Sequence, residues 1–197
     1  MKEENSQKET LLKIFKIAFI GGTTVGKTTI AYRCLDRKLN PDEVDTTLED
    51  HYKIYPEIND EKVEIEIIDT AGQDDYQNFF DTWVQYSDGF LLIFAINDSS
   101  TFDIIKNRYN KIIAMKGNEI PIILIGNKKD LENERKVLFK DAKFFANEHK
   151  IQYFETSALN DESNECKNIL IEISKKIYNK KFKTKNIEQN KCCCSII

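Results

Sequence analysis

The segment Gly21-Gly22-Thr23-Thr24-Val25-Gly26-Lys27-Thr28 constrains this chain more than any other. It fits the pattern GxxxxGK[ST], and its flanks fit the pattern's structural context. Residues 14–20 form an apolar run that reads as a buried strand, and residues 29–37 read as the start of a helix. A strand turning through glycines into a helix aims successive backbone N–H groups at one point, where the helix dipole adds partial positive charge. Such a turn cradles phosphate. Lys27 would reach the β- and γ-phosphates of a bound nucleotide, the Thr28 hydroxyl would ligate Mg²⁺, and Thr29 opens the helix beneath them. Thr23 and Thr24 are the oddity, because they place two branched side chains where the loop lies nearest the γ-phosphate.

The remainder alternates strands with helices. Residues 62–68 alternate apolar with charged side chains, as a strand with one covered face should. Residues 89–96 (GFLLIFAI) and 120–126 (IPIILIG) are nearly continuous apolar runs, which suits central parallel strands buried on both sides. Residues 151–155 form a shorter strand. Helical spacing runs over 101–115, 139–149 and 162–180, the last with Cys166, Ile169 or Leu170, Ile173 and Ile177 on one stripe. Residues 98–101 offer a helix N-cap. Residues 51–58 are expected to pair antiparallel with 62–68 through a turn at Asn59-Asp60. The whole reads as a doubly wound α/β sheet, mostly parallel, whose ligands bind beyond the carboxyl ends of the strands.

Further motifs fall at those strand ends. Asp69-Thr70-Ala71-Gly72-Gln73 follows strand 62–68. Asp69 can hold Mg²⁺ directly or through water, Gly72 lets a backbone N–H approach the γ-phosphate, and Gln73 can orient a water for in-line attack. Asn127-Lys128-Lys129-Asp130 follows strand 120–126. A buried carboxylate at Asp130 would accept hydrogen bonds from the N1–H and exocyclic amine of guanine, whereas adenine would leave it unpaired. Lys128 would lay its stem along the base, and Asn127 would tie neighbouring loops together. Thr156-Ser157-Ala158, after strand 151–155, would present N–H groups to the guanine O6. Each tetrapeptide alone is weak, and a lysine-rich NKKD is more often a solvated turn. Four in order, each at a strand end, point to GTP or GDP.

At 197 residues the chain allows one domain with short extensions. Residues 1–13 contain no apolar stretch of signal-peptide length, and no span reaches transmembrane length, so a cytosolic-side protein is expected. The net charge of −4 conceals an asymmetry: seven lysines and one glutamate lie between Ser174 and Lys191, so the body is acidic. That excludes the usual footprint of a nucleic-acid binder. The basic tail ends in Cys192-Cys193-Cys194-Ser195-Ile196-Ile197, whose last four residues fit C-a-a-X. Cys194 is the expected prenylation site, and Cys192 and Cys193 are candidates for palmitoylation. One lipid anchors only marginally, and the lysines or a second acyl chain would supply the second signal.

On these boxes, together with GFLLIFAIND, IPIILIGNKKDL and YFETSA, the chain resembles a Ras-superfamily small GTPase, and the Ras subfamily most closely. The resemblance implies a P-loop NTPase G domain over residues 14–181, with a mostly parallel six-stranded sheet and helices on both faces. Residues 1–13 are an N-terminal extension, and 182–197 a flexible basic tail. It implies a monomeric GTP hydrolase acting as a Mg²⁺-dependent GTP/GDP switch in signal transduction, slow on its own, with effectors, an exchange factor and a GTPase-activating protein as partners. The expected location is the cytoplasmic face of the plasma membrane. Lys27, Gln73 and Thr47 are the expected catalytic residues, and Thr28, Thr47 and Asp69 the Mg²⁺ residues. Leu48, Glu49, Asp50, His51 and Tyr52 fill the effector segment, and 72–83 fill switch II. Asp42, Glu43, Asp45, Glu49 and Asp50 make the effector side acidic, which suits a partner with a basic edge strand.

The departures define the open points. Thr23 and Thr24 could crowd the transition state and leave a GTP-locked, poorly hydrolysing adaptor, or their hydroxyls could face solvent. Leu39 or its neighbours stand where the family often places a phenylalanine, and Val44 and Thr46 stand where it has a tyrosine and a proline, which predicts faster nucleotide release. Phe79, Phe80 and Trp83 are either core or an apolar partner face.

Overall fold

The computed structural model describes residues 12–37, 47, 49–72, 77–161 and 163–183. The backbone runs β1 (Lys13–Gly21), α1 (Lys27–Cys34), β2 (Glu49–Ile54), β3 (Glu57–Ile58), β4 (Glu61–Thr70), α2 (Gln77–Tyr86), β5 (Gly89–Ala95), α3 (Ser99–Lys116), β6 (Ile122–Asn127), α4 (Phe139–Glu148), β7 (Gln152–Glu155) and α5 (Glu165–Tyr178). A 3₁₀ segment, Lys129–Glu134, follows β6, and a π-helical turn, Asn179–Lys183, extends α5.

The sheet order is β2-β4-β1-β5-β6-β7, with β3 paired to β4 off this path. All neighbouring pairs from β4 to β7 are parallel, and β2 and β3 are antiparallel to β4. The expected six strands thus become seven, because the hairpin partner of β4 breaks at Tyr55-Pro56. Pro56 lacks an N–H for the ladder, and its carbonyl accepts the Val63 N–H at 3.0 Å. Asn59 and Asp60 both take left-handed φ (52° and 63°), the type I′ geometry that matches strand twist.

Alternation along β1 explains the two layers. Phe15, Ile17 and Phe19 join Ile65, Ile67, Leu91 and Ile93 beneath α1 and α5. Ala18 and Ile20 face the other way, with Leu92, Phe94 and Leu124 beneath α2, α3 and α4. The α5 stripe of Cys166, Ile169, Leu170, Ile173 and Ile177 is buried as its spacing predicts. Asp98 caps α3, its carboxylate accepting from Ser100 N at 3.0 Å. Helix α5 starts later than expected because Asp161 accepts from the N–H groups of Glu165 and Cys166 at 2.6 and 3.1 Å, which fixes its first turn. Strand β6 starts after Pro121, not at Ile120, for the same lack of an N–H. Among the described residues, no helix is long and apolar enough to cross a membrane.

Candidate functional site

The carboxyl ends of β1, β4, β6 and β7 meet at one edge of the sheet. Between β1 and α1 the loop turns through Thr24 at φ 57° and Gly26 at φ 93°. Gly26 is required there, since a Cβ would also lie 2.3 Å from Asn127 Nδ2. Thr23 and Thr24 are both exposed, so neither side chain packs inward. Lys27 is buried and folds back over the loop, donating to Gly22 O at 2.8 Å and Gly21 O at 3.3 Å. Burial pulls its ammonium down to about 8; the Asp69 charge opposes this, and Arg108 adds a smaller lowering.

Asp69 ends β4 with no solvent exposure. Its Oδ2 accepts from the Thr28 hydroxyl at 2.6 Å, while Oδ1 is buried with no hydrogen-bond partner among the described residues. Burial raises this carboxyl to about 6, against the Thr28 hydrogen bond and the Lys27 charge. Thr28 spends its one proton on Asp69, so at 3.1 Å it accepts from the Thr47 hydroxyl. Three oxygen-bearing side chains from separate segments therefore converge beside Lys27. Gly72 lies against the loop itself: a Cβ there would sit 2.5 Å from Thr23 N and 2.6 Å from Gly22 O. Gln73, Leu48, Leu39, Val44, Thr46, Asp42, Glu43, Asp45 and Cys192 to Cys194 lie outside the described residues.

A cavity of about 510 Å³ extends from this loop, lined by Thr24, Gly26, Thr29, Arg33, Asn127, Lys128, Asp130, Leu131, Ala158 and Leu159. Asn127 is buried at its base. Its Nδ2 donates to Val25 O at 2.8 Å, and its Oδ1 accepts from Ala158 N at 3.0 Å, so one side chain ties three loops. Asp130 corrects an expectation: it is exposed, not buried, because it stands on the cavity rim at the start of the 3₁₀ segment, where it accepts from Ser157 Oγ. The Ala158 N–H, expected to face the base, is directed at Asn127 in this structure. Lys128 is half-buried with φ 66° and lines the same wall.

Two residues were not singled out from sequence. Arg33, in the last turn of α1, donates from Nε to Ala158 O at 2.6 Å and from Nη2 to Leu159 O. Arg135 grips both Glu155 oxygens at 2.8 Å, fixing the segment after β6 against β7. Neither belongs to a short motif; only the folded topology brings α1 to residues 158–159.

The expected effector residues Glu49 to Tyr52 lie on the sheet's edge strand, β2. Glu49, Asp50 and His51 are exposed and Tyr52 is half-buried, its ring 5.7 Å from that of Tyr32. Trp83 and Phe80 are core residues, while Phe79 is exposed and stacks on Trp83. The core reading thus holds for Phe80 and Trp83, and Phe79 alone of the trio is exposed. Trp83 Nε1 donates to Glu49 Oε2 at 2.8 Å, joining α2 to β2.

The family model described as "Ras family" matches residues 16–179 of this chain. The chain belongs to the Ras family. It is 37% identical over 145 residues to Ras-like protein RAS2 of Hydra vulgaris, an alignment covering 73% of this chain and 75% of that protein. It is 35% identical over 144 residues to Ras-related protein R-Ras of Mus musculus (73% and 66%). Against Ras-like protein 1 of Saccharomyces cerevisiae it is 33% identical over 151 residues, which span 76% of this chain but 48% of the yeast protein. The resemblance to the Ras subfamily and the α/β fold of a P-loop GTPase are both borne out. Ras-family small GTPases are GTP hydrolases that act as GTP-binding signalling switches and use Mg²⁺ with GTP, and this chain is a member of that class.

Proposed function

We propose that this Ras-family GTPase is a lipid-anchored switch whose nucleotide lies along the edge formed by the phosphate loop, Asp69, Asn127 and Ala158. The observation that carries the reading is the convergence of Thr28, Thr47 and Asp69 beside a buried Lys27, with one Asp69 oxygen buried and without a partner among the described residues. An unpaired buried carboxylate oxygen is costly and calls for a cation or a donor.

The residues present fit Mg²⁺. It is a hard cation that takes oxygen ligands, keeps several waters, and needs only one or two protein groups beside substrate phosphates. The Thr28 and Thr47 hydroxyls and Asp69, through water, would hold it, and when bound it would neutralise phosphate charge. Lys27 supplies positive charge to the phosphates after leaving the Gly21 and Gly22 carbonyls. Backbone N–H groups of residues 22–29 orient the phosphates, and Gln73 orients the attacking water. This is positioning and charge stabilisation without covalent catalysis, so the unassisted reaction is slow. The base occupies the cavity over Asn127, where Asp130 accepts from guanine once the base covers the rim, with Lys128, Ser157 and Ala158 around it.

Thr47 and Gly72 touch the site from the segments flanking β2 and α2, so the γ-phosphate controls both. Edge strand β2, carrying Glu49 and Asp50, suits an effector that adds a basic strand. Residues 14–181 form the GTP-binding domain, 1–13 an extension and 182–197 a basic tail prenylated at Cys194, with Cys192 or Cys193 acylated, at the plasma membrane's cytoplasmic face. Two measurements test this. Protein purified natively and then denatured should release GDP on chromatography; retained GTP would overturn the hydrolysing switch. Mass spectrometry of the native C-terminus should show a lipid on Cys194, and an unmodified thiol would remove the anchor.

A further inference from the structure

The base-binding wall of the cavity is held from an unexpected side. Residues 157–159 make three outward connections: Ser157 Oγ to Asp130, Ala158 N–H to Asn127, and the carbonyls of Ala158 and Leu159 to Arg33. The first two come from the loop after β6. The third comes from α1, the helix whose first turn carries Lys27 and Thr28. A guanidinium presents its donors as a rigid planar fork, so it can engage two successive carbonyls at once, which a lysine ammonium cannot do with the same geometry. Hydrogen bonds with a charged donor are about twice as strong as neutral ones, and Arg33 is only half-exposed, so solvent competes weakly.

We propose that Arg33 is a positioning residue for nucleotide retention: it clamps the base-recognition segment to the same helix that holds the phosphates, and so sets how long the nucleotide stays. The proposal rests on the nucleotide site described above. Helix α1 spans Lys27 to Cys34, about 12 Å at 1.5 Å per residue, which is the scale separating a nucleotide's base from its terminal phosphates. With Arg33 in place, the phosphate loop and the base wall move as one body. Without it, residues 157–159 keep the packing of Ala158 in the core and their links to Asn127 at the end of β6 and to Asp130 beyond it, but lose their tie to α1, and the wall can open while the phosphates remain bound.

The test uses the full chain loaded with a fluorescent GDP analogue, with release measured in excess Mg²⁺ and again after chelation. Arg33→Ala should release nucleotide at least tenfold faster than wild type, by the same factor in both conditions, because the base wall does not depend on the metal end. Arg33→Lys, able to reach one carbonyl, should fall between. Far-UV circular dichroism of the nucleotide-loaded Arg33→Ala chain should match wild type, which separates a loosened wall from a generally unfolded chain. Release within twofold of wild type for Arg33→Ala would overturn the proposal. So would acceleration seen only with Mg²⁺ present, or an Arg33→Lys variant that releases nucleotide as fast as Arg33→Ala. If Arg33→Ala does not fold, the Arg33→Lys release rate decides. A wild-type chain that never retains the analogue would instead sink the nucleotide-site reading itself.

Discussion

Replacing Asn127 by alanine should do more damage than any other single truncation at the site. The side chain is 2% exposed and makes two buried hydrogen bonds, to Val25 O at 2.8 Å and from Ala158 N at 3.0 Å. Alanine removes both and strands a carbonyl and an N–H. Each stranded buried group costs about 1–3 kcal/mol, so the pair predicts roughly 2–6 kcal/mol, less whatever an entering water restores. Domain stabilities are about 5–15 kcal/mol, so the variant approaches the threshold of folding. Urea unfolding should be run at two concentrations of excess GDP, because weaker binding lowers apparent stability by mass action and has to be separated from the intrinsic loss. Asn127→Asp separates the two bonds. It keeps the acceptor for Ala158 N–H but sets a buried carboxylate oxygen against Val25 O, so it should lose the phosphate-loop tie, add charge burial and repulsion, and cost at least as much as alanine at neutral pH. An Asn127→Ala variant within about 0.5 kcal/mol of wild type, with unchanged GDP release, would show that these bonds do not hold the loops together.

Thr24 adopts φ 57°, a left-handed conformation that costs a branched residue about 1–2 kcal/mol; Thr24→Gly relieves it but adds about 0.4–1 kcal/mol of unfolded-chain entropy, so a net gain of about 0–1.6 kcal/mol is expected in urea unfolding, and a loss would contradict the strain. His51 places both ring nitrogens against carboxylates, Glu66 at 2.7 Å and Glu49 at 2.6 Å, which only the doubly protonated ring can satisfy. Partial burial works against its charge, but these two hydrogen bonds prevail and raise its pKa above 6.5. Its contribution to stability is therefore full below pH 6.5 and lost as pH rises through the raised value; thermal unfolding of His51→Gln against wild type should converge at high pH, and a constant gap would refute the assignment. Trp83 is the chain's one tryptophan, so its emission reports the α2–β2 contact directly. Spectra should differ between GDP-loaded protein and protein loaded with a non-hydrolysable GTP analogue, and Glu49→Ala should shrink the difference; identical spectra in the two states would separate this contact from the switch.

Most of the architecture is legible in the sequence because its signals are local. Strand β5 reads as GFLLIFAI since a strand buried on both faces needs apolar side chains at every position, and the α5 stripe reads at helical spacing because only one face is covered. The loop from Gly21 to Thr28 reads because its geometry demands glycine and lysine at fixed offsets. Much of what escaped depends on residues distant in sequence. Arg33 and residues 158–159 are over a hundred positions apart, and no spacing rule links them. Asp130 was expected to be buried from the chemistry it would perform, but burial follows from the surrounding chain, and residues 129–134 turn outward in a 3₁₀ segment. The break between β2 and β3 hinged on Pro56, visible in the sequence but lying inside a run whose other residues favour a strand.

The contacts around Thr47 give a physical reason why nucleotide state should reach the surface. Thr47 touches Thr28 through its hydroxyl, and two residues later Glu49 receives the Trp83 indole. Two extended residues span at most about 7 Å, too short to absorb a displacement at Thr47 without moving Glu49. Gly72, on the other approach to α2, rests on the backbone of Gly22 and Thr23 with no room for a Cβ. Helix α2 is thus tethered to the phosphate loop along both routes, through β2 by way of Glu49 and through the loop by way of Gly72. A ligand that draws in Thr47 and Gly72 should tighten both tethers, and one lacking the γ-phosphate should hold them less tightly. Phe79 is exposed and stacked on Trp83, so it lies at the surface end of this linkage. Its truncation to alanine should weaken binding of a partner specific for the GTP state while leaving GDP release unchanged; equal binding of the variant would exclude Phe79 from the partner surface.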